Sequence, residues 1–178
     1  MSTIDEVAAS LDHEFVGEWS VRYLAAWNAL DANTVASLCT DDVVWKDPAA
    51  PVPIVGRDGV HEFVRTTATA FPDFHVAETA PPCALPGQAI VLSPYRMTGT
   101  MLGPMERFAP TGATLSVEGV DKWTFRGELL CALTTYYDSL EVARQLGIMP
   151  PVGSGVERMM IRLQHVQARI QRGRNGRT

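Results

Sequence analysis

A short strand that ends in an aspartate and a proline constrains this chain more than any other stretch. In DVVWKDP the side chains of Val43, Trp45 and Asp47 share one face of the strand, because successive strand residues point to opposite faces. Pro48 cannot donate to a sheet ladder and favours an extended backbone at the residue before it. The sequence therefore predicts a carboxylate on an apolar, aromatic face at a strand end, where a cavity can open.

The composition is that of one soluble globular domain with an appended element. The chain has 178 residues, of which 46% are hydrophobic and 20% are charged. Of its 15 basic and 20 acidic side chains, six arginines and one acid, Glu157, lie in residues 152–178, which leaves nine basic and nineteen acidic side chains in residues 1–151. This acidic body argues against a nucleic-acid partner.

The cysteines and the N-terminal segment bear on metal binding and compartment. Cys39, Cys83 and Cys131 form neither a CxxC pair nor a His/Cys metal spacing, so we expect no metal and a reducing compartment. The segment MSTIDEVAASLDHEF is acidic and lacks the apolar region of a secretory signal. No apolar run is long enough to span a bilayer. We therefore expect a cytoplasmic protein with no membrane span.

An aromatic stripe marks the first helix, which we predict over Glu14–Leu30 with Asp12 as the N-cap. The aromatic residues recur every four positions and so lie on one helix face: Phe15, Trp19, Tyr23 and Trp27. Tyr23 is thereby directed inward. It either packs as an ordinary core residue or, as a buried phenol, needs a hydrogen-bond partner.

The remaining chain alternates helical and strand signals. We predict helices over Thr34–Cys39, from an Asp58 cap to Ala70, and over Asp138–Leu146, and strands over His75–Thr79, Gln88–Gly99, Ala113–Phe125 and Glu128–Tyr137. In the third of these strands Asp121 is the lone acid on a face with Val117, Gly119 and Trp123. Two carboxylates on separate strands are thus placed where burial is expected.

The C-terminal segment has its own helix signal. We assign residues 1–150 to one domain and residues 151–178 to a linker and an amphipathic helix, which begins with the capping box Ser154–Glu157. Its apolar stripe is expected to pack on the body or on a second copy of the chain.

The order of elements predicts an α+β cone, in which three N-terminal helices pack on a curved, mainly antiparallel sheet that encloses a pocket. The segments RYLAAWNALDANTVASLCTDDVVWKDPAAPVPIVGRDGVHEF and EGVDKWTF resemble the nuclear-transport-factor-2-like superfamily, and within it the steroid Δ5-isomerases, also called ketosteroid isomerases. Tyr23, Asp47 and Asp121 stand at that family's functional positions.

The resemblance implies a cofactor-independent isomerase that moves the double bond of a 3-oxo-Δ5-steroid to the conjugated Δ4 position through a dienolate. Asp47 is implied as the general base, and Tyr23 and a protonated Asp121 as hydrogen-bond donors to the dienolate oxygen. We expect a hydrophobic, steroid-like substrate, no cofactor, and a homodimer. The proposed pocket wall, for which plain core packing is the alternative, is Phe63, Trp123, Leu133 and Tyr137.

Some residues depart from the isomerase pattern and keep other functions open. Cys39 and Val64 stand where the bacterial isomerases often carry tyrosines, so a shorter oxyanion network is expected. The segment GVDKWTFRGELLCALTTYYDSLEVARQLG resembles the SnoaL-like polyketide cyclases, in which an aspartate matching Asp121 is the acid/base and Asp47 is not required.

Two further alternatives remain. A limonene-epoxide-hydrolase-like activity would use Arg96, although Thr98 and Thr135 stand where its carboxylates are expected. The cone fold also hosts non-catalytic small-molecule-binding modules.

Overall fold

The computed structural model describes residues 11–105 and 108–175 of the chain, and the side chains up to residue 172. The helices are α1 (His13–Asn28), α2 (Ala32–Ser37), α3 (Gly56–Ala70), α4 (Ser139–Gln145) and α5 (Gly155–Asn175). The strands are β1 (Cys39–Lys46), β2 (Ile54–Val55), β3 (His75–Glu78), β4 (Cys83–Ala84), β5 (Ile90–Thr100), β6 (Thr114–Arg126) and β7 (Leu129–Tyr137). This is the mixed α+β fold that the sequence predicts.

Side-chain caps fix where the first two helices begin. The Asp12 carboxylate accepts a hydrogen bond from the backbone N–H of Glu14, so Asp12 is the N-cap as predicted, and α1 starts at His13, one residue before the predicted Glu14. The Asp31 carboxylate accepts from the backbone N–H groups of Asn33 and Thr34, so α2 starts at Ala32, two residues before the predicted Thr34. Asp58 caps nothing, because α3 begins at Gly56 and Asp58 lies inside its first turn.

The strands form one curved sheet in the order β2-β1-β7-β6-β5-β3, with β4 paired to β5. All pairs are antiparallel except that of β1 with β7. Gly127, at φ 60°, makes the tight turn that joins β6 to β7. The sequence analysis missed β2 and β4, because a two-residue strand has no alternating pattern to detect.

Indole rings dominate the core between the helices and the sheet. Trp19 of α1, Trp45 of β1 and Trp123 of β6 are each at most 1% exposed. Trp19 lies 4.9 Å from Trp123, measured between ring centroids. Close packing of these rings fixes the angle between α1 and the sheet, and with it the direction in which α1 presents its next residues.

The last helix has the predicted cap, and the described residues leave its apolar stripe uncovered. The backbone N–H of Glu157 donates to the Ser154 hydroxyl, and the Glu157 carboxylate accepts from the backbone N–H of Gly153. The large apolar side chains of α5 are exposed: Val156, Met159, Met160, Ile161, Leu163, Val166 and Ile170. Of the two expected partners of this stripe, the described part of the body therefore does not cover it, and the second copy of the chain is not tested. The homodimer stays a prediction.

Within the described ranges, no helix is long and apolar enough to cross a membrane.

Candidate active site

A cavity of about 730 Å³ lies on the sheet face that α1 and α3 cover. Its volume is typical of sites for small organic molecules. All seven residues that the sequence analysis proposed for the site line this cavity: Tyr23, Asp47, Phe63, Asp121, Trp123, Leu133 and Tyr137.

The strand register explains why these residues meet. Asp121 of β6 pairs with Ser93 of β5 on one side and with Thr135 of β7 on the other. One row away, Trp123 pairs with Leu133, which in turn pairs with Trp45 of β1. Because side chains in such rows share one sheet face, the two-residue alternation of four strands, β1, β5, β6 and β7, places them all toward the cavity.

Asp121 combines burial with two neutral hydrogen-bond donors. The Thr135 hydroxyl donates to its Oδ1 at 2.8 Å, and the indole N–H of Trp123 donates to its Oδ2 at 3.4 Å. Burial raises the pKa of Asp121 to about 7, the two hydrogen bonds oppose this shift, and the charge of Asp47 adds to it. Near neutral pH the carboxyl can therefore act as an acid or as a base.

Asp47 is held where β1 ends. Its Oδ1 accepts hydrogen bonds from the backbone N–H of Ala49 at 2.7 Å and from the Tyr137 hydroxyl at 3.0 Å. Burial raises the pKa of Asp47, and these two hydrogen bonds pull it back toward its ordinary value. Its Oδ2 accepts no hydrogen bond from the part of the chain that the structure describes, so this oxygen is available to a ligand.

Tyr23 is a neutral phenol at the cavity wall. It is 4% exposed, stacks on Trp19 with ring centroids 4.9 Å apart, and contacts the edge of Trp123. Burial raises its pKa well above the ordinary value, and the negative charge of Asp121 raises it further. Across the described residues no hydrogen bond joins Tyr23 to Asp121, although the two groups interact electrostatically.

Tyr95, Ser93 and Thr135 are cavity residues that the sequence analysis did not assign to the site. The Tyr95 hydroxyl is buried without a hydrogen-bond partner in the described ranges. Burial raises its pKa, and so do the charges of Asp121 and Asp47. The sequence does show that Ser93 and Tyr95 share one face of a strand, because they alternate with Pro94. Only the pairing of this strand with β6 shows that this face is the one toward the cavity.

Three other residues weighed in the sequence analysis lie outside the cavity lining. Cys39 and Val64 are fully buried in the core, where the Cys39 thiol donates to the carbonyl of Val35. Arg96 is exposed and forms an ion pair with Glu118. The arginine that an epoxide-hydrolase-like site would need therefore does not line the cavity.

The charged groups of the lining all have one sign. Among the described residues the lining contains Asp47, Glu62 and Asp121, and it contains no arginine, lysine or histidine. The same residues form no cluster of three or more His, Cys, Asp or Glu side chains that could hold a metal. An anion formed in this cavity would thus be stabilised by neutral donors rather than by a cation.

Comparison with known proteins identifies the family. The family model described as SnoaL-like domain matches residues 21–133. No curated protein sequence matches the chain.

Solved structures agree on the fold. A putative SnoaL-like polyketide cyclase from a Jannaschia species is similar with a TM-score of 0.66 and 16% identity, over 84% of this chain and 100% of that one. A putative polyketide cyclase from Xanthomonas campestris gives a TM-score of 0.67 and 18% identity over 75% and 98%.

A third structure is a hypothetical protein from Catenulispora acidiphila with a ketosteroid isomerase-like fold, in complex with trimethylamine. It gives a TM-score of 0.62 and 23% identity over 73% of this chain and 92% of that one. At such identities these similarities establish the fold and not the activity. The family match covers most of the chain, and the chain therefore belongs to the SnoaL-like domain family, on a ketosteroid isomerase-like fold.

Proposed function

We propose that this protein is a cofactor-independent acid–base enzyme that closes a ring in a polyketide-like carbonyl compound, with Asp121 as the acid/base. The observation that carries this proposal is the setting of Asp121. It lies in an apolar cavity, it accepts hydrogen bonds from two neutral donors, and burial raises its pKa to about 7. Such a group can both take and return a proton at neutral pH.

The proposed reaction needs no redox partner. The Asp121 carboxylate removes a proton from a carbon next to a carbonyl group, and the resulting enolate attacks a second carbonyl in the same molecule. One carbon–carbon bond forms, and the new alkoxide takes the proton back from Asp121. The Tyr23 hydroxyl, which its raised pKa keeps protonated, is the proposed donor to the enolate oxygen.

The match to the SnoaL-like domain family over residues 21–133 supports this choice over the steroid isomerase. The test is ring closure of an anthraquinone-type ester by the purified protein. Asp121→Asn should lower kcat by about 10²–10⁴, the usual contribution of a general acid/base, whereas Asp47→Asn should leave ring closure largely intact. A rate that Asp47→Asn abolishes and Asp121→Asn preserves would refute the assignment.

The second candidate is the steroid Δ5-isomerase that the sequence analysis favoured, with Asp47 as base. The observation in its favour is the free Oδ2 of Asp47, beside a cavity that Tyr23 and Asp121 also line. Here Asp47 moves the proton from C4 to C6 of the steroid, while Tyr23 and a protonated Asp121 donate to the dienolate oxygen. Turnover of 5-androstene-3,17-dione, followed by the absorbance of the conjugated enone, tests it. Asp47→Asn should abolish this rate.

A homodimer and a cytoplasmic location remain parts of the proposal.

The non-catalytic alternative predicts that the protein binds a ligand but shows no turnover in either the ring-closure assay or the steroid-isomerase assay.

A further inference from the structure

The charge balance of the cavity limits what it can bind. Asp47 and Asp121 lie inside, and Glu62 stands exposed at the rim, with no cationic side chain in the described lining. Burial raises the pKa of Asp121, and the charge of Asp47 adds a smaller contribution in the same direction. A ligand carboxylate or phosphate would add a third negative charge to this low-dielectric space, which is unfavourable.

The rings around the acids favour the opposite charge. Eight aromatic side chains line the cavity in addition to Phe71 and Phe108: Tyr23, Trp27, Trp45, Phe63, Phe74, Tyr95, Trp123 and Tyr137. Phe63 stands edge-on to both Trp27 and Trp45, with ring centroids 6.3 Å apart in each pair. Ring faces attract ammonium groups, and the attraction grows as water is excluded.

Tyr95 adds an independent sign that a polar ligand belongs here. Its side chain is 5% exposed and lines the cavity, and its hydroxyl has no hydrogen-bond partner within the described ranges. A buried hydroxyl without a partner costs free energy, which a bound polar group can recover. The two acids are close enough to shift the pKa of this phenol.

We propose that this cavity selects apolar ligands that carry a protonated or quaternary amine, seated between Asp47 and Asp121, and that it rejects anionic ligands of the same size. The inference rests on the proposed function, which places the substrate in this cavity. It refines the substrate to a carbonyl compound that also bears an amine. A bound ammonium near Asp121 would also stabilise the ionised carboxylate and so lower the pKa of this group.

Calorimetric titration of the full chain at pH 7.5 tests charge selection without requiring turnover. The probes share the 2-naphthylmethyl skeleton and carry a trimethylammonium, a hydroxyl or a carboxylate group. We expect the ammonium probe to bind at least about tenfold more tightly than the carboxylate probe, and the alcohol to bind with an affinity between the two. This difference in binding free energy is a modest fraction of the interaction energy of one charge pair in such a site.

Two cavity variants and one matched control locate the effect. Asp47→Asn and Asp121→Asn should each shrink the preference for the ammonium probe, and the double variant should abolish it. Glu128→Gln removes the same charge from the exposed turn between β6 and β7, outside the cavity, and should leave the preference unchanged. Circular dichroism of each variant confirms that it is folded.

The outcomes separate this inference from the proposed function. Equal or tighter binding of the carboxylate overturns the inference, and so does the absence of binding by all three probes. A preference that Glu128→Gln reduces as much as Asp47→Asn overturns it too, because the effect would then come from overall charge. If the ammonium preference appears and ring closure does not, the inference stands and the proposed reaction fails.

Discussion

The Tyr137 hydroxyl donates a 3.0 Å hydrogen bond to Asp47 Oδ1 across 90 residues of sequence. The bond spans the point where β1 ends beside β7, the one parallel pair of the sheet within the described ranges. It holds the Asp47 carboxylate through Oδ1, whereas Oδ2 accepts no hydrogen bond from the described residues. The sequence analysis placed both residues in the pocket but gave no reason for them to touch.

Tyr137→Phe should raise the pKa of Asp47. The hydrogen bond from Tyr137 lowers that pKa against the effect of burial, so its loss leaves burial less opposed. The pKa can be followed by NMR titration of the aspartate carboxyl carbons, with Asp47→Asn used to assign the resonance. Tyr136→Phe is the control, because Tyr136 is 57% exposed and absent from the cavity lining. An unchanged Asp47 titration in Tyr137→Phe would contradict the assigned role.

Asp121→Asn should stabilise the fold at alkaline pH. The pKa of Asp121 is 3.8 in the unfolded chain, and burial raises it to about 7 in the folded protein. Between these two pH values the folded state therefore binds one extra proton. Stability contributed by this group is therefore present below pH 4, falls as pH rises, and is lost above about pH 7. Asparagine does not ionise, so it removes the free-energy cost of a buried negative charge at high pH, and its side-chain oxygen can still accept from the Thr135 hydroxyl.

The gain should be about 1–2 kcal/mol at pH 5, which already lies above the unfolded pKa, and reach about 3–4 kcal/mol at pH 8, because each unit of pKa shift corresponds to about 1.4 kcal/mol. Urea denaturation at both pH values measures it. Titratable groups that interact with Asp121 are Asp47, Tyr23, Tyr95 and Tyr137, of which only the first is an acid. A gain equal at the two pH values would mean that Asp121 ionises normally in the folded state.

Local periodicity was sufficient to predict which faces carry the site. The four-residue aromatic spacing directs Tyr23 inward, and the two-residue alternation does the same for Asp47 and Asp121. These patterns depend only on the geometry of one helix or one strand. The sequence alone could therefore identify seven residues that the structure brings to one cavity.

Contacts between distant segments could not be predicted in this way. The partner of Asp47 depends on β1 pairing in parallel with β7, and the unpartnered hydroxyl of Tyr95 depends on its position over Gly119. Two helix starts were also misplaced. The N-cap of α2 is Asp31 and the helix begins before the predicted Thr34, and Asp58, the predicted cap of α3, lies inside the first turn of that helix. The choice between cyclase and isomerase also lies beyond periodicity, because both use the same inward faces.

Gly119→Ala should destabilise the fold and disturb the Tyr95 hydroxyl together. A Cβ at this position would stand 2.6 Å from the backbone oxygen of Tyr136 and 2.6 Å from the Tyr95 hydroxyl. The backbone of β7 is hydrogen-bonded to β6 here and cannot move away from the added Cβ. We therefore expect the free energy of unfolding, measured by urea denaturation, to fall by about 3 kcal/mol. Gly17→Ala is the matched control. No atom lies within 4 Å of a Cβ there, and α1 should gain about 0.5–1 kcal/mol. Equal effects at both sites would contradict the close approach.

Removal of residues 154–178 should leave the stability of the body unchanged, because the apolar side chains of α5 are exposed. Leu163→Ala in the full chain should likewise cost less than about 0.5 kcal/mol, whereas Leu133→Ala should cost about 2–5 kcal/mol. The two leucines differ in their exposed fractions, 56% for Leu163 and 3% for Leu133. Urea midpoints measured at two protein concentrations test this. A midpoint that rises with concentration in the full chain but not in the shortened one would instead place α5 against a second copy, as the expected homodimer requires.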